Sequence, residues 1–327
     1  MIGYYVIQNL HLCIMTFLSP KIKHLLVLIA KIVIVVGAFY FIYNQLMNNN
    51  QIDWVEFKRI VVEKQSFSTI FLLLVLTFLN RFIEILKWQN LIQLVKKISV
   101  WQATQQVLSA ITVAIFTPNG IGEYAGKALY YDKKDSGRVI FLNLICNGIQ
   151  MILSITIGLL GLLYLNAHYK IIGWGKVFIA FCFVSLLITI ILFTKKINVR
   201  GYSIEILFQK INEIPKSIHR KNIVLAFCRY LCFSHQYFIL YRMFDVEVPY
   251  LLLMSAITSV YLLSSSLPTF QIFDFAVKGS VAVFMLGIIG VNDWIVVFIT
   301  TIIWFLNIVL PVSIGSFFVF KYKPQWK

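Results

Sequence analysis

The sequence predicts an all-α integral membrane protein with about six full spans and two re-entrant helical hairpins in an inverted repeat. The 327-residue chain is 60% hydrophobic and only 13% charged, a balance that soluble domains of this length do not carry. Apolar stretches near the roughly 20 residues needed to cross a hydrocarbon core recur at 24–47, 67–91, 138–165, 171–194, 222–242 and 294–320. Two further apolar regions, 99–131 and 250–290, each begin and end against connections of the same charge character. The plainer alternative is eight or more spans in series, with chance similarity between the halves.

Taken in order, residues 1–20 lack the basic start and small-residue cleavage site of a signal peptide, and Gln8, Asn9 and His11 interrupt their apolar run. They read as an interfacial segment or an over-called start. Residues 21–327 form a single membrane domain, because the longest polar connection, 195–221, is too short to bury a core of its own. Within that domain, 24–47 is the first span, 67–165 a first repeat, 171–194 a connecting span and 222–320 a second repeat.

Loop charge orients the spans, since Lys and Arg collect on the cytoplasmic side. The 195–221 connection carries Lys195, Lys196, Arg200, Lys210, Lys216, Arg220 and Lys221; Lys21 and Lys23 precede the first span, and Lys321, Lys323 and Lys327 follow the last. These segments are assigned to the cytoplasm, which puts both termini there and the protein in the cytoplasmic (inner) membrane. The 243–249 and 290–293 connections hold no Lys or Arg and belong outside. The chain threads this pattern only if 99–131, bracketed by Lys96, Lys97, Lys133 and Lys134, dips in from the cytoplasm and 250–290 dips in from outside.

The two dips resemble each other. In TPNGIGEYAGKALYYDKKD, residues 117–135, Pro118 is followed by Glu123 and Lys127; in SLPTFQIFDFAVKGS, Pro268 is followed by Asp274 and Lys278. Each acid precedes its lysine by four residues. The span before each dip carries an arginine inside its apolar run, Arg81 and Arg229. Charge-derived topology runs the two repeats in opposite directions, the plan of many transporters whose site lies near the midplane where broken helices meet.

Non-helical backbone at membrane depth is costly unless protein or water satisfies it. Pro118 would start the returning limb without losing a donor, Gly120 and Gly122 would let it turn, and the helix resuming at Glu123 would aim its N-terminus into the membrane interior, a favourable place for an anion. Glu123 and Lys127 share a helical face, so they either neutralise each other and lock the hairpin or line a wet cavity; Asp274 and Lys278 repeat the choice. Asn143, Asn147, Gln150 and Ser154 form one stripe on an apolar helix, which suits a cavity or helix–helix hydrogen bonding equally. Arg81, Glu84 and Lys87 share another face.

Other chemistries find no support. Twenty-nine Lys and Arg against 13 Asp and Glu give a net charge of +16, which in this setting points to topology and anionic headgroups rather than nucleic acid. The five cysteines form no CxxC pair and the five histidines are scattered, so no metal set, nucleophile or catalytic residue stands out. GIGEYA matches a dinucleotide fingerprint variant, but no βαβ unit fits here. No cofactor is expected.

TPNGIGEYAGKAL and its weaker partner LPTFQIFDFAVKGS resemble the paired signatures of the lysylphosphatidylglycerol synthase transmembrane family, the flippase-like domain family, over residues 21–327. The second signature has Thr269, Phe270 and Gln271 where a glycine-rich turn is expected. In larger members this membrane domain is similar to a lipid flippase, and a soluble domain makes the lipid. No such domain follows the last span here, so synthase activity is not expected. The resemblance implies translocation of an anionic phospholipid or lipid-linked molecule, with Pro118, Gly120, Gly122, Glu123, Pro268 and Asp274 as motif equivalents. Lys127, Lys278, Arg81 and Arg229 would attract the headgroup, and Asn143, Asn147 and Gln150 would line its path. The rival is a membrane partner that anchors a glycosyltransferase or lipid-modifying enzyme through the basic 195–221 loop.

Overall fold

A computed structural model describes residues 67–115, 117, 119–194 and 203–322, with the single positions Ile29, Tyr40 and Tyr43. The segment expected over 1–20, nearly all of the span expected over 24–47, and Pro118 lie outside the described residues. Within them every regular element is helical: α1 Phe67–Ile92, α2 Val100–Ala114, α3 Gly122–Ala128, α4 Ser136–Tyr169, α5 Trp174–Thr194, α6 Ile204–Asn212, α7 Lys216–Met243, α8 Tyr250–Ser265, α9 Asp274–Gly287, α10 Asp293–Trp304 and α11 Leu310–Lys321. A 3₁₀ turn, Gln271–Phe273, precedes α9, and a π-helical turn, Phe305–Val309, joins α10 to α11.

Among the described residues, four helices are long and apolar enough to cross a membrane: α1, α4, α7 and the continuous run Asp293–Lys321. The protein is therefore an α-helical membrane protein. Local chemistry sets where the helices begin. Ser99 accepts from the Gln102 N–H while the Gln102 side chain accepts from the Ser99 N–H, a reciprocal cap for α2. Asn292 caps α10 by accepting from the Trp294 N–H, and Pro215 and Pro249 stand before α7 and α8, where a missing N–H breaks no helical bond.

The same order of helices occurs twice. A long helix, a short one, a turn, a second short helix and a long one are found as α1 to α4 and again as α7 to α11. The packing repeats as well: α1 lies along α7, α4 packs on α8, and α11 packs on α2. Close approach in the last two pairs depends on glycine. A Cβ on Gly161 of α4 would collide with Thr258 Oγ1 and the Ser255 carbonyl of α8, and one on Gly315 of α11 with the Leu108 carbonyl and Thr112 Oγ1 of α2. Without a hydrophobic drive between helices in lipid, such backbone-to-backbone contact is what holds them together.

Two cores form, the larger of which also takes in Leu73 of α1 and Leu165 of α4. Trp88, Leu91, Val107 and Leu142 are buried between α1, α2 and α4, and Leu240, Leu253, Val283 and Ile299 between α7, α8, α9 and α10. Large apolar side chains such as Phe67, Phe71, Phe78, Phe317 and Phe320 remain on the outside, as a lipid-facing surface allows.

The linkers between the short helices meet. The Asn119 N–H donates to the Thr269 carbonyl at 2.9 Å, and the Thr269 N–H donates to Asn119 Oδ1 at 3.0 Å. Asn119 and Gly120 both have positive φ, 51° and 68°; asparagine and glycine are the residues that adopt this conformation most readily.

Candidate functional site

Between the two sets of helices lies a buried layer of polar side chains. Glu84 on α1 is its centre. Its Oε2 accepts from Arg81 Nη1 one turn earlier and is 3.2 Å from Arg229 Nη2 on α7. The arginines of the two repeats thus share a single carboxylate. Asn80 ties the group together, since its Oδ1 accepts from Arg229 Nε at 3.0 Å and its Nδ2 donates to Asn307 Oδ1 at 2.6 Å. Asn307 in turn donates to Gln236 Oε1 at 3.1 Å, and Gln236 donates to Thr77 Oγ1 at 2.7 Å.

Asn307 sits inside the π-helical turn, and the sequence explains the turn. Pro311 has no N–H to give the Asn307 carbonyl, its ordinary α-helical partner, and its ring would crowd that oxygen. The helix widens, with the Leu310 N–H reaching back to the Phe305 carbonyl. Arg81 Nη2 then donates to the Asn307 carbonyl at 2.5 Å. The proline therefore directs one arginine as well as bending a helix.

A second cluster lies alongside. Lys127 on α3 is fully buried, and its Nζ donates to Glu123 Oε1 at 2.6 Å and to Asn143 Oδ1 at 2.7 Å while lying 4.5 Å from the centre of the Trp88 ring. Asn147 approaches Glu123 Oε2 at 3.4 Å, and Lys87 donates to the Cys146 carbonyl and to Gln150 Oε1 at 3.1 and 3.2 Å. The stripe Asn143, Asn147, Gln150 serves the charges of neighbouring helices, so the cavity and helix-bonding readings of that stripe are not exclusive.

A cavity of about 220 Å³ opens against the first cluster, lined in part by Asn80, Arg81, Gln150, Arg229, Asp274, Lys278, Trp304 and Asn307. Of the residues singled out in the sequence, Arg81, Arg229, Gln150, Asp274 and Lys278 meet there. Glu123, Lys127, Asn143 and Asn147 do not line it. Gly120 and Gly122 shape the turn: a Cβ on the first would strike the Gln271 amide, and one on the second the Thr117 side chain and the Val113 carbonyl. Pro268 lies in the linker that carries Thr269 to Asn119.

The two Asp/Glu–Lys pairs occupy different surroundings. Asp274 and Lys278 are 2.5 Å apart with side chains 17% and 29% exposed, whereas Lys127 is wholly enclosed. The second pair therefore faces the cavity while the first is locked in protein. Three N–H groups of cavity-lining residues, Arg81 Nε, Gln150 Nε2 and Trp304 Nε1, are buried without a protein acceptor. Buried donors left unpaired cost on the order of 1–3 kcal/mol each, and their common need is an acceptor. With three cations and one carboxylate lining the cavity, and Glu84 behind the arginines, its chemistry favours an anion. No group of three or more His, Cys, Asp or Glu suited to a metal occurs among the described residues.

Several members were not marked by sequence spacing: Asn80, Gln236, Trp304 and Asn307, and Trp88 with Gln106, whose Oε1 accepts the indole N–H at 2.8 Å. The available signal was a lone amide in an apolar run, with Asn307 four residues before a proline.

Comparison with known proteins finds no family model that matches the chain and no curated protein that matches it. The functional reading therefore rests on the motif residues and on this geometry.

Proposed function

We propose that the protein is a lipid translocator, similar to the flippase-like domain family, that carries an anionic phospholipid or lipid-linked molecule through the polar layer between two inverted repeats. The observation that carries this reading is the cavity of about 220 Å³, where cationic side chains and unpartnered N–H donors from both halves meet among long apolar helices. Intramembrane ionisable groups are expensive and mark pathways.

The repeats are read as inverted and their short helices as re-entrant on two grounds. Helices α2 and α8 have 15 and 16 residues, which at 1.5 Å per residue reach only about 23–24 Å of a hydrocarbon core about 30 Å thick. The linkers that follow them bond to each other at Asn119 and Thr269, as two hairpins entering from opposite sides would at the midplane. The headgroup would ride in the polar layer with its tails in lipid, drawn by Arg81, Arg229 and Lys278. Asp274 would release Lys278 to the ligand.

The test is a flip assay in proteoliposomes, comparing fluorescent phosphatidylglycerol with a zwitterionic analogue. Movement is expected to be selective for the anionic lipid and to fall about tenfold in Lys278→Ala, about the 1.4 kcal/mol of one lost charged contact. A folded, inserted protein that moves neither lipid would rule out a headgroup-selective phospholipid flippase, and co-purification of a stable enzyme lost on neutralising the 195–221 loop would establish the anchoring rival.

A further inference from the structure

A second and larger cavity, about 600 Å³, lies on the other side of Gln106 and Trp88 from the buried layer, between the start of α2, the link after α3 and the end of α11. Its chemistry differs from that of the central cavity. Gln102, Gln105 and Gln106 lie along one face of α2, at intervals of three and one, and all line it; the Gln102 oxygen already accepts from the Ser99 N–H and the Gln106 oxygen from Trp88 and Tyr131, so these two keep their amide N–H groups and Gln105 its whole amide. Aromatic rings form the other walls: Trp101 packs edge-on against Phe318 at 5.5 Å, and Tyr130 lies 4.8 Å from Tyr322. Among the described residues that line it, Lys96 and Lys321 carry charge and none is an Asp or Glu.

We infer that this groove binds a glycosyl phosphate headgroup carried on a lipid. The Gln105 amide both donates and accepts, as a sugar hydroxyl does, and the N–H groups of Gln102 and Gln106 donate on either side of it, so the row can meet a polyol as donor and as acceptor, where a phosphate alone would leave the acceptor unused. Flat aromatic faces beside polar groups suit the C–H faces of a pyranose, and the two lysines supply the phosphate's counter-charge. The Tyr131 hydroxyl donates to Gln106 Oε1 and holds that amide in place at the groove wall. The groove continues onto the exposed apolar surface of α11 at Phe317 and Phe320, which favours a lipid over a free sugar phosphate.

The groove shares a wall with the buried layer. Gln106 Oε1 accepts from Trp88 Nε1 at 2.8 Å and from the Tyr131 hydroxyl at 3.0 Å, and the far face of that wall is the Trp88 ring beside Lys127. A headgroup in the groove is therefore two side chains, Gln106 and Trp88, away from the Glu123–Lys127 ion pair. This inference names a substrate class for the translocator reading, and it rests on that reading for movement but not for binding.

The test uses the full-length protein in detergent and measures Kd for farnesyl phosphoglucose, farnesyl phosphate, short-chain phosphatidylglycerol and glucose 1-phosphate. Farnesyl phosphoglucose is expected to bind about tenfold more tightly than farnesyl phosphate, the worth of one or two hydrogen bonds. Trp101→Ala and Gln105→Ala should each abolish that preference, and Lys321→Ala should weaken both lipids; these positions are not fully buried, and an unchanged melting temperature checks that each variant folds. Equal binding of the two farnesyl lipids, or a preference that survives both α2 variants, overturns the inference. Glucose 1-phosphate binding as tightly as its farnesyl form overturns the lipid-linked part. Groove-dependent binding without movement in proteoliposomes would sink the translocator reading and leave this site standing, and movement of phosphatidylglycerol with no sugar preference would do the reverse.

Discussion

Asn119 and Thr269, 150 residues apart, hold each other by two hydrogen bonds: each backbone N–H donates to the other residue, one to a carbonyl and one to the Asn119 side chain. Asn119 does this in a left-handed conformation. Asn119→Gly should lose only the side-chain acceptor, about 1 kcal/mol, while Asn119→Ala should lose that and also strain the backbone by about another 1–2 kcal/mol. Thermal unfolding in detergent distinguishes them. Identical losses in the two variants would show that the backbone conformation contributes nothing.

Glu84 serves two arginines, so its removal should be felt more than an ordinary surface charge. Glu84→Gln leaves Arg81 and Arg229 facing each other and is expected to cost about 3–5 kcal/mol, the range for breaking a buried pair from one side. Adding Arg229→Gln should recover part of the loss, because the uncompensated charge goes with it. A double-mutant cycle measures the coupling, and strict additivity would mean that the arginine and carboxylate do not interact.

Gly161 and Gly315 occupy matching contacts in the two halves. Alanine at either should force α4 from α8 or α11 from α2 and lower the melting temperature by several degrees, a loss of about 1–3 kcal/mol typical of overpacking. Gly148→Ala on the same α4 helix meets nothing within 4 Å, and there the better helix former should be neutral or stabilising. A melting temperature unmoved by Gly161→Ala would show that the helices can separate freely.

Pro311→Ala would return an N–H to the Asn307 carbonyl and let the π-helical turn close into an α-helix. Arg81 would then lose one acceptor. Helix regularity predicts a protein as stable as the parent or more so, since a helix-interior proline costs about 3 kcal/mol, while the arginine placement predicts slower lipid movement. Transport and melting temperature measured together separate the two effects, and unchanged transport would show that the turn does not position Arg81.

How much was legible in the sequence varies with the kind of interaction. Long apolar runs against water mark spans by themselves, so α1, α4 and α7 lie close to the ranges expected for them, and Asp293–Lys321 matches the expected last span with a turn of different pitch inside it. Periodicity also placed Arg81, Glu84 and Lys87 on one face of α1 and Glu123 beside Lys127, because residues three and four apart on a helix are neighbours whatever the tertiary structure. The same spacing could not tell that Lys127 is sealed under Trp88 while Lys278 faces a cavity. Both pairs read alike in the chain and differ in what packs over them.

The sequence by itself determined the membrane class, the helical register of its charges and the likeness of its two halves, since these follow from hydrophobicity and local geometry. Only the tertiary structure decided that Arg81 and Arg229 share Glu84, that Asn307 takes part because Pro311 frees its carbonyl, and that Asn119 meets Thr269. Each of these joins segments more than a hundred residues apart, and such contacts depend on helix packing that no local pattern encodes.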